Sequence, residues 1–165
     1  MRWRKLMMNK KNKWLKRAVL LIVVLLAIGV ISFASYVLQY DKQLLTYQES
    51  LSKLPEVKKV LEISQYNGEE QYYVAKVQLT SGKDYYYFIK DNTVKLSCET
   101  KDLMTKKQVE EKVANVIDQG VIKHYYLGVY GETPIYEVLV TNDKGDFYVI
   151  LDAKTSEVLL QFKAK

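Results

Sequence analysis

The spacing of hydrophobic positions changes along this chain, and each change predicts a new element. From Ala18 to Tyr40, 23 residues pass without a charge. At about 1.5 Å per residue, a helix of that length exceeds the roughly 30 Å of a bilayer's hydrocarbon core. Beyond it Val37, Tyr40, Leu44, Tyr47, Leu51 and Leu54 recur at alternating spacings of three and four. That is a helical stripe, and Pro55 ends it, because the residue before a proline disfavours helical geometry. The stripe suits packing on the structure that follows, with self-association as a coiled coil the alternative.

The period then falls to two. Strands are predicted at 57–66, 72–80, 85–90 and 94–97, separated by the turn formers Asn67-Gly68, Ser81-Gly82 and Asp91-Asn92. Tyr73, Ala75, Val77 and Leu79 alternate with more polar neighbours, which predicts a half-buried antiparallel strand. A helix opens at Thr105, where Thr105 and Gln108 have the spacing of a capping box. Val109, Val113, Val116 and Ile117 form its apolar face, and Gly120 is the expected stop. Strands follow at 121–130, 135–141, 146–151 and 157–162.

The two halves repeat each other. A shift of 63 residues carries Gly68 onto Gly131, Tyr73 onto Tyr136, Val77 onto Val140, Gly82 onto Gly145 and Tyr85 onto Tyr148. The expected fold class is therefore α+β: one N-terminal transmembrane helix, then two tandem small domains from a duplicated unit, each a helix packed on an antiparallel sheet. The expected boundaries are a disordered basic tail (1–17), the span (18–40), a first domain (41–98), a linker (99–104) and a second domain (105–165). Six linker residues are too few to hold the domains apart.

Charge then sets the topology. Arg2, Arg4, Lys5, Lys10, Lys11, Lys13, Lys16 and Arg17 precede the span with no acidic residue among them, which predicts a cytoplasmic N-terminus and extracytoplasmic domains. Trp14, Tyr36 and Tyr40 stand where interfacial aromatic residues belong. Removing those eight from the 25 basic residues leaves 17 against 19 acidic ones, a net −2, so the formal +6 is no argument for nucleic acid. Ser32-Phe33-Ala34 has the small-residue spacing of a signal-peptidase site, so a span cleaved after Ala34 is the alternative to a retained anchor. Cys98 is the single cysteine and allows no intramolecular disulfide.

Catalytic chemistry is not expected. His124 is the only histidine, so one chain cannot assemble a His/Cys metal cluster, and neither a metal nor a cofactor is predicted. Ser50-Leu51-Ser52-Lys53 matches the S-x-x-K of penicillin-recognising serine enzymes, but the rest of that signature is missing. Asn142-Asp143-Lys144-Gly145-Asp146 has oxygen ligands at loop spacing without the distal glutamate of a calcium loop, and reads as a hairpin turn. What stands out is 14 tyrosines. One helix covers one face of its sheet, so the other face must show tyrosine to solvent, to the sister domain or to a partner. Tyr72, Tyr85, Tyr86, Tyr87, Tyr125 and Tyr126 are the candidate partner-binding residues, since tyrosine buries much area at little entropic cost.

This layout resembles the TseB-like (YpmB) cell-wall elongation regulators of Gram-positive bacteria. The resemblance spans almost the whole chain and is most specific at Tyr66-Asn67-Gly68-Glu69-Glu70-Gln71-Tyr72-Tyr73-Val74 with Gly82. Thr105-Lys106-Lys107-Gln108-Val109 is similar to the opening of a PepSY domain. The resemblance implies a duplicated PepSY/cystatin-like unit in a non-enzymatic membrane protein. It also implies binding and modulation of a class B (monofunctional) penicillin-binding protein, and it brings no catalytic residues. Three alternatives stay open: a sensor of a small ligand or wall fragment held between the domains, an inhibitor of an exported protease, and a homodimer.

Overall fold

The computed structural model describes residues 2–164; the side chains of residues 1–13 and of 41 lie outside the described residues. Helix α1 spans Arg2–Ser52. Residues 2–17 are therefore helical in backbone, where a disordered tail was expected, because no proline or glycine interrupts the chain ahead of the span. The expected charge cluster from Arg2 to Lys13 lies outside the described side chains. The chain divides into two compact units, Met1–Gln43 and Leu44–Lys165.

Within the first unit the helix is long and apolar enough to cross a membrane, with a mean hydropathy of 2.9 and none of that window buried. Leu25, Ile31, Phe33 and Leu38 are exposed, an arrangement that water penalises and hydrocarbon does not. Length and composition fit an anchor and a signal sequence alike.

The second unit holds two four-stranded antiparallel sheets, each in simple sequential order. Sheet A is β1 (Val57–Asn67), β2 (Gln71–Leu79), β3 (Asp84–Lys90) and β4 (Thr93–Glu99). Helix α2 (Lys106–Val116) follows. Sheet B is β5 (Val121–Tyr130), β6 (Thr133–Asn142), β7 (Gly145–Asp152) and β8 (Val158–Lys163). The architecture is α+β and consistent with a duplicated unit, as the repeat predicts.

One face of sheet A packs on the last turns of α1. Leu44, Tyr47, Leu51 and Leu54 meet Tyr73, Ala75, Val77, Tyr87 and Ile89 in one apolar cluster. The Tyr47 and Tyr73 rings lie 4.1 Å apart by centroid. The other face joins a second cluster with α2 and sheet B, in which Tyr66, Val74, Phe88 and Cys98 share a core with Val109, Val113, Ile135 and Val138. Strand β2 is thus buried on both faces from Tyr72 to Ala75, not half-buried as its alternation suggested. The edge strand β5 lies against β1 and β2 and supplies that second cover.

The connector is part of this core. Thr100–Asp102 form a 3₁₀ turn, Leu103 and Met104 are buried, and Met104 N–H donates to Ala153 O at 2.8 Å. The Tyr136 hydroxyl donates to Met104 O at 2.9 Å. Thr105 and Gln108 make the reciprocal capping box expected of them. The far end of α2 differs from expectation. The helix stops at Val116 with Ile117 extended, and Gln119 (φ 53°), not Gly120, takes the left-handed conformation. Gly120 is needed for space: a side chain there would collide with Val140 and Ile117.

The repeat also needs one correction. Tyr73 pairs with Ile89 and Tyr136 with Leu151, so strands β3 and β7 correspond at a shift of 62, not 63. Val77 and its partner Tyr85 are eight residues apart, whereas Val140 and Phe147 are seven apart. The second hairpin is one residue shorter. Tyr85 therefore corresponds to Phe147, and Tyr86 to Tyr148.

Tyr66 fastens the two sheets. Its ring lies against Gly128 of β5, where an added Cβ would overlap it, and its hydroxyl donates to Glu137 Oε2 at 2.9 Å. Gly128→Ala is expected to lower stability by about 1–3 kcal/mol, the usual cost of overpacking. Tyr66→Phe, which keeps the ring, should cost about 1 kcal/mol, measured by urea denaturation.

Burial, and then the bond to Glu137, hold the Tyr66 phenol well above its ordinary value; burial does the same at Tyr136. The unfolded chain releases these protons first, near a pKa of about 10. Stability should therefore be whole below about pH 10 and fall as the pH rises beyond it, and Tyr66→Phe should flatten that fall.

Candidate functional site

Successive strand residues point to opposite faces, so the ladder registers sort each side chain onto one side of its sheet. On the face of sheet A away from α1, two rows cross the strands: Glu62–Lys76–Tyr86–Cys98 and Ser64–Val74–Phe88–Leu96. The corresponding rows of sheet B are His124–Leu139–Tyr148–Phe162 and Tyr126–Glu137–Ile150–Leu160. The repeat thus presents the same face twice, in different surroundings.

In sheet A this face lies under β5 and the connector, which leave a cleft of about 340 Å³. Val74, Leu103, Met104 and Leu127 give it apolar surface, Tyr86 and Tyr125 add aromatic walls, and Lys76 and Glu62 add charge. The Lys76 ammonium lies 5.9 Å from the centre of the Tyr86 ring. Burial first, then the neighbouring Glu62 carboxylate, push the Tyr86 phenol above its usual value, so it stays a neutral O–H donor.

In sheet B the matching face is largely open. Ile135 and Ile150 are buried beneath it, yet Tyr126 is 50 %, Phe162 51 % and Leu160 42 % exposed. Tyr148 and Phe162 stack at 5.4 Å, and His124 sits 4.9 Å from Tyr126. Where sheet A has Glu62, Lys76 and Cys98 in one row, sheet B has His124, Leu139 and Phe162. The uncovered copy of this row is the more apolar one.

The six candidate tyrosines therefore do not form one surface. Tyr86 and Tyr125 line the inter-sheet cleft. Tyr85 and Tyr87 face the other way, into the cluster beneath the end of α1, which is where strand alternation sends them. Tyr72 is buried at the far end of the seam; its hydroxyl donates to Glu70 at 3.3 Å and Lys90 pairs with that carboxylate at 2.6 Å. Tyr126 alone of the six reaches the open face. Tyr148, Leu160 and Phe162 were missed, although Leu160 and Phe162 alternate with the polar Gln161 and Lys163 and so mark one apolar face of the last strand. Nothing local marks Lys76, which owes its place to β5.

The other sequence features have structural explanations. The Ser50 and Ser52 hydroxyls donate to the Thr46 and Gln48 carbonyls of their own helix. Asn142 and Gly145 close a hairpin in which Asn142 Oδ1 accepts from Lys144 N–H at 2.9 Å. The Cys98 thiol is buried, which pushes its pKa up and away from nucleophilic use. No group of three or more His, Cys, Asp or Glu side chains suited to a metal occurs among the described residues.

The fold is similar to that of a solved structure. The YpmB protein from Bacillus subtilis superposes with a TM-score of 0.61 at 19% identity, covering 68% of this chain and 91% of that one. The fold is YpmB-like. A protein of Clostridium difficile 630 described as a candidate lipoprotein is also similar, with a TM-score of 0.40, 16% identity, and coverage of 76% and 92%. No protein-family model and no curated protein matches the sequence. The YpmB-like fold agrees with the resemblance read from the turns and strands.

Nitration with tetranitromethane should report the sorting of the tyrosines. Tyr126 is expected to react well before Tyr66, Tyr72, Tyr87 and Tyr136, which peptide mass spectrometry of a time course would resolve.

Proposed function

We propose that this protein is a membrane-anchored, extracytoplasmic, non-enzymatic regulator of cell-wall elongation that docks a class B penicillin-binding protein. The observation that carries a docking role is the open face of sheet B. Water penalises exposed Tyr126, Leu160 and Phe162, and the same face of the sister copy is covered. A surface rich in aromatic side chains, with polar ones such as His124 and Asp146 on the same face, has the composition of a protein interface. The partner's identity comes from the family resemblance, and the orientation from the basic residues ahead of the apolar span. Tethering adds to both: two proteins confined to one membrane meet at high effective concentration, so a modest interface suffices.

A photoreactive residue at Tyr126 or Phe162 in intact cells is expected to capture a penicillin-binding transpeptidase, whereas one at Tyr87, beneath α1, captures nothing. The pair Tyr126→Ala and Phe162→Ala should weaken that capture about tenfold or more with the thermal midpoint unchanged. Capture of a second copy of this chain would replace the regulator with a homodimer, and capture of no protein at either position would end the docking reading.

A further inference from the structure

We propose that the cleft between the sheets binds a small anionic ligand, a carboxylate or phosphate carried on a ring or short apolar body. This inference does not depend on the docking face, which lies on the other sheet.

Lys76 sits on the inner strand β2, so the ladder holds its backbone in place and its side chain is half-buried. Glu62 is its neighbour across the ladder, yet the two form no ion pair, and no carboxylate among the described residues pairs with Lys76. The hydroxyls of Tyr86 and Tyr125 have no hydrogen-bond partner among the described residues. The Thr100 Oγ1 on the same wall is fully buried without one. The unpaired Lys76 ammonium and the phenol hydroxyls of Tyr86 and Tyr125 thus line the cleft together with Ser64 and Lys106, against the one carboxylate of Glu62. A partly desolvated cation with unmatched donors is costly, and an acceptor-rich anion offsets that cost.

The remaining surface selects the body of the ligand. Val74, Leu103, Met104 and Leu127 offer apolar contact beside the aromatic rings, and the volume lies at the lower end of the range for small-molecule sites. The fold does not require this polar set. In the second copy the counterparts of Glu62, Ser64 and Lys76 are His124, Tyr126 and Leu139, and the sheet forms equally well.

Met104 provides a local reporter, because the only other methionines are Met1, Met7 and Met8, ahead of the span. The full chain in lipid nanodiscs, labelled with ¹³C-methyl methionine and assigned with Met104→Leu, would be titrated with hippurate, its uncharged amide and phenyl phosphate. One or both anions are expected to shift the Met104 methyl signal saturably while the amide leaves it in place; which anion does so separates a carboxylate site from a phosphate site. Lys76→Gln should weaken the response on the order of tenfold and Lys76→Arg should retain it. Three results would each overturn the proposal: a Met104 signal unmoved by both anions up to about 10 mM, equal shifts with acid and amide, or a Lys76→Gln chain that titrates like the parent.

Discussion

Tyr66 lies next to the end of the first strand of sheet A, and its ring occupies the space above Gly128 on the edge strand of sheet B. The two positions correspond in the repeat, by their registers with Tyr72 and Ile135. One copy carries the ring and the other carries the space for it. Only glycine lets β5 come this close, and only with β5 there is the second face of sheet A taken out of water. The bond from Tyr66 to Glu137 then matches the polar tip of the ring, so the contact buries no unpaired hydroxyl.

Much of the molecule follows from that asymmetry. A sheet built from this repeat has two faces to cover and a single helix to do it. The first copy solves the problem with the end of α1 on one side and β5 on the other. The second copy places α2 on one side, and its opposite side leaves Tyr126, Leu160 and Phe162 exposed. The inter-sheet cleft and the open aromatic face are therefore the same surface of the repeat met twice, once roofed imperfectly and once not roofed. One row of side chains diverges accordingly: Glu62, Lys76 and Cys98 under the roof, His124, Leu139 and Phe162 outside it.

The repeat was legible because turns and strands leave local marks. Asp91-Asn92 takes positive φ at both residues, as a tight hairpin requires, and Thr105 with Gln108 caps α2 with the reciprocal bonds their spacing implies. Where the reading slipped, the missing information was not local. Glycine spacing aligned Tyr85 with Tyr148, because a hairpin shortened by one residue keeps its glycine while moving the strand behind it. Gly120 looked like a helix stop because sequence alone does not distinguish a glycine kept for its φ from one kept for room beside Val140.

By itself the sequence determined the apolar span, the α+β class, the two hairpin-linked sheets and the opening of the second helix. Each rests on hydrophobic period, turn chemistry or capping within a few residues. Only the tertiary structure decided which faces of the sheets meet, and therefore which tyrosines are core, which line a cleft and which reach solvent. That choice depends on β5 packing across β1 and β2, a contact between residues far apart in the chain, as with Tyr66 and Gly128. Strand alternation tells which residues share a face; it does not tell what will cover that face.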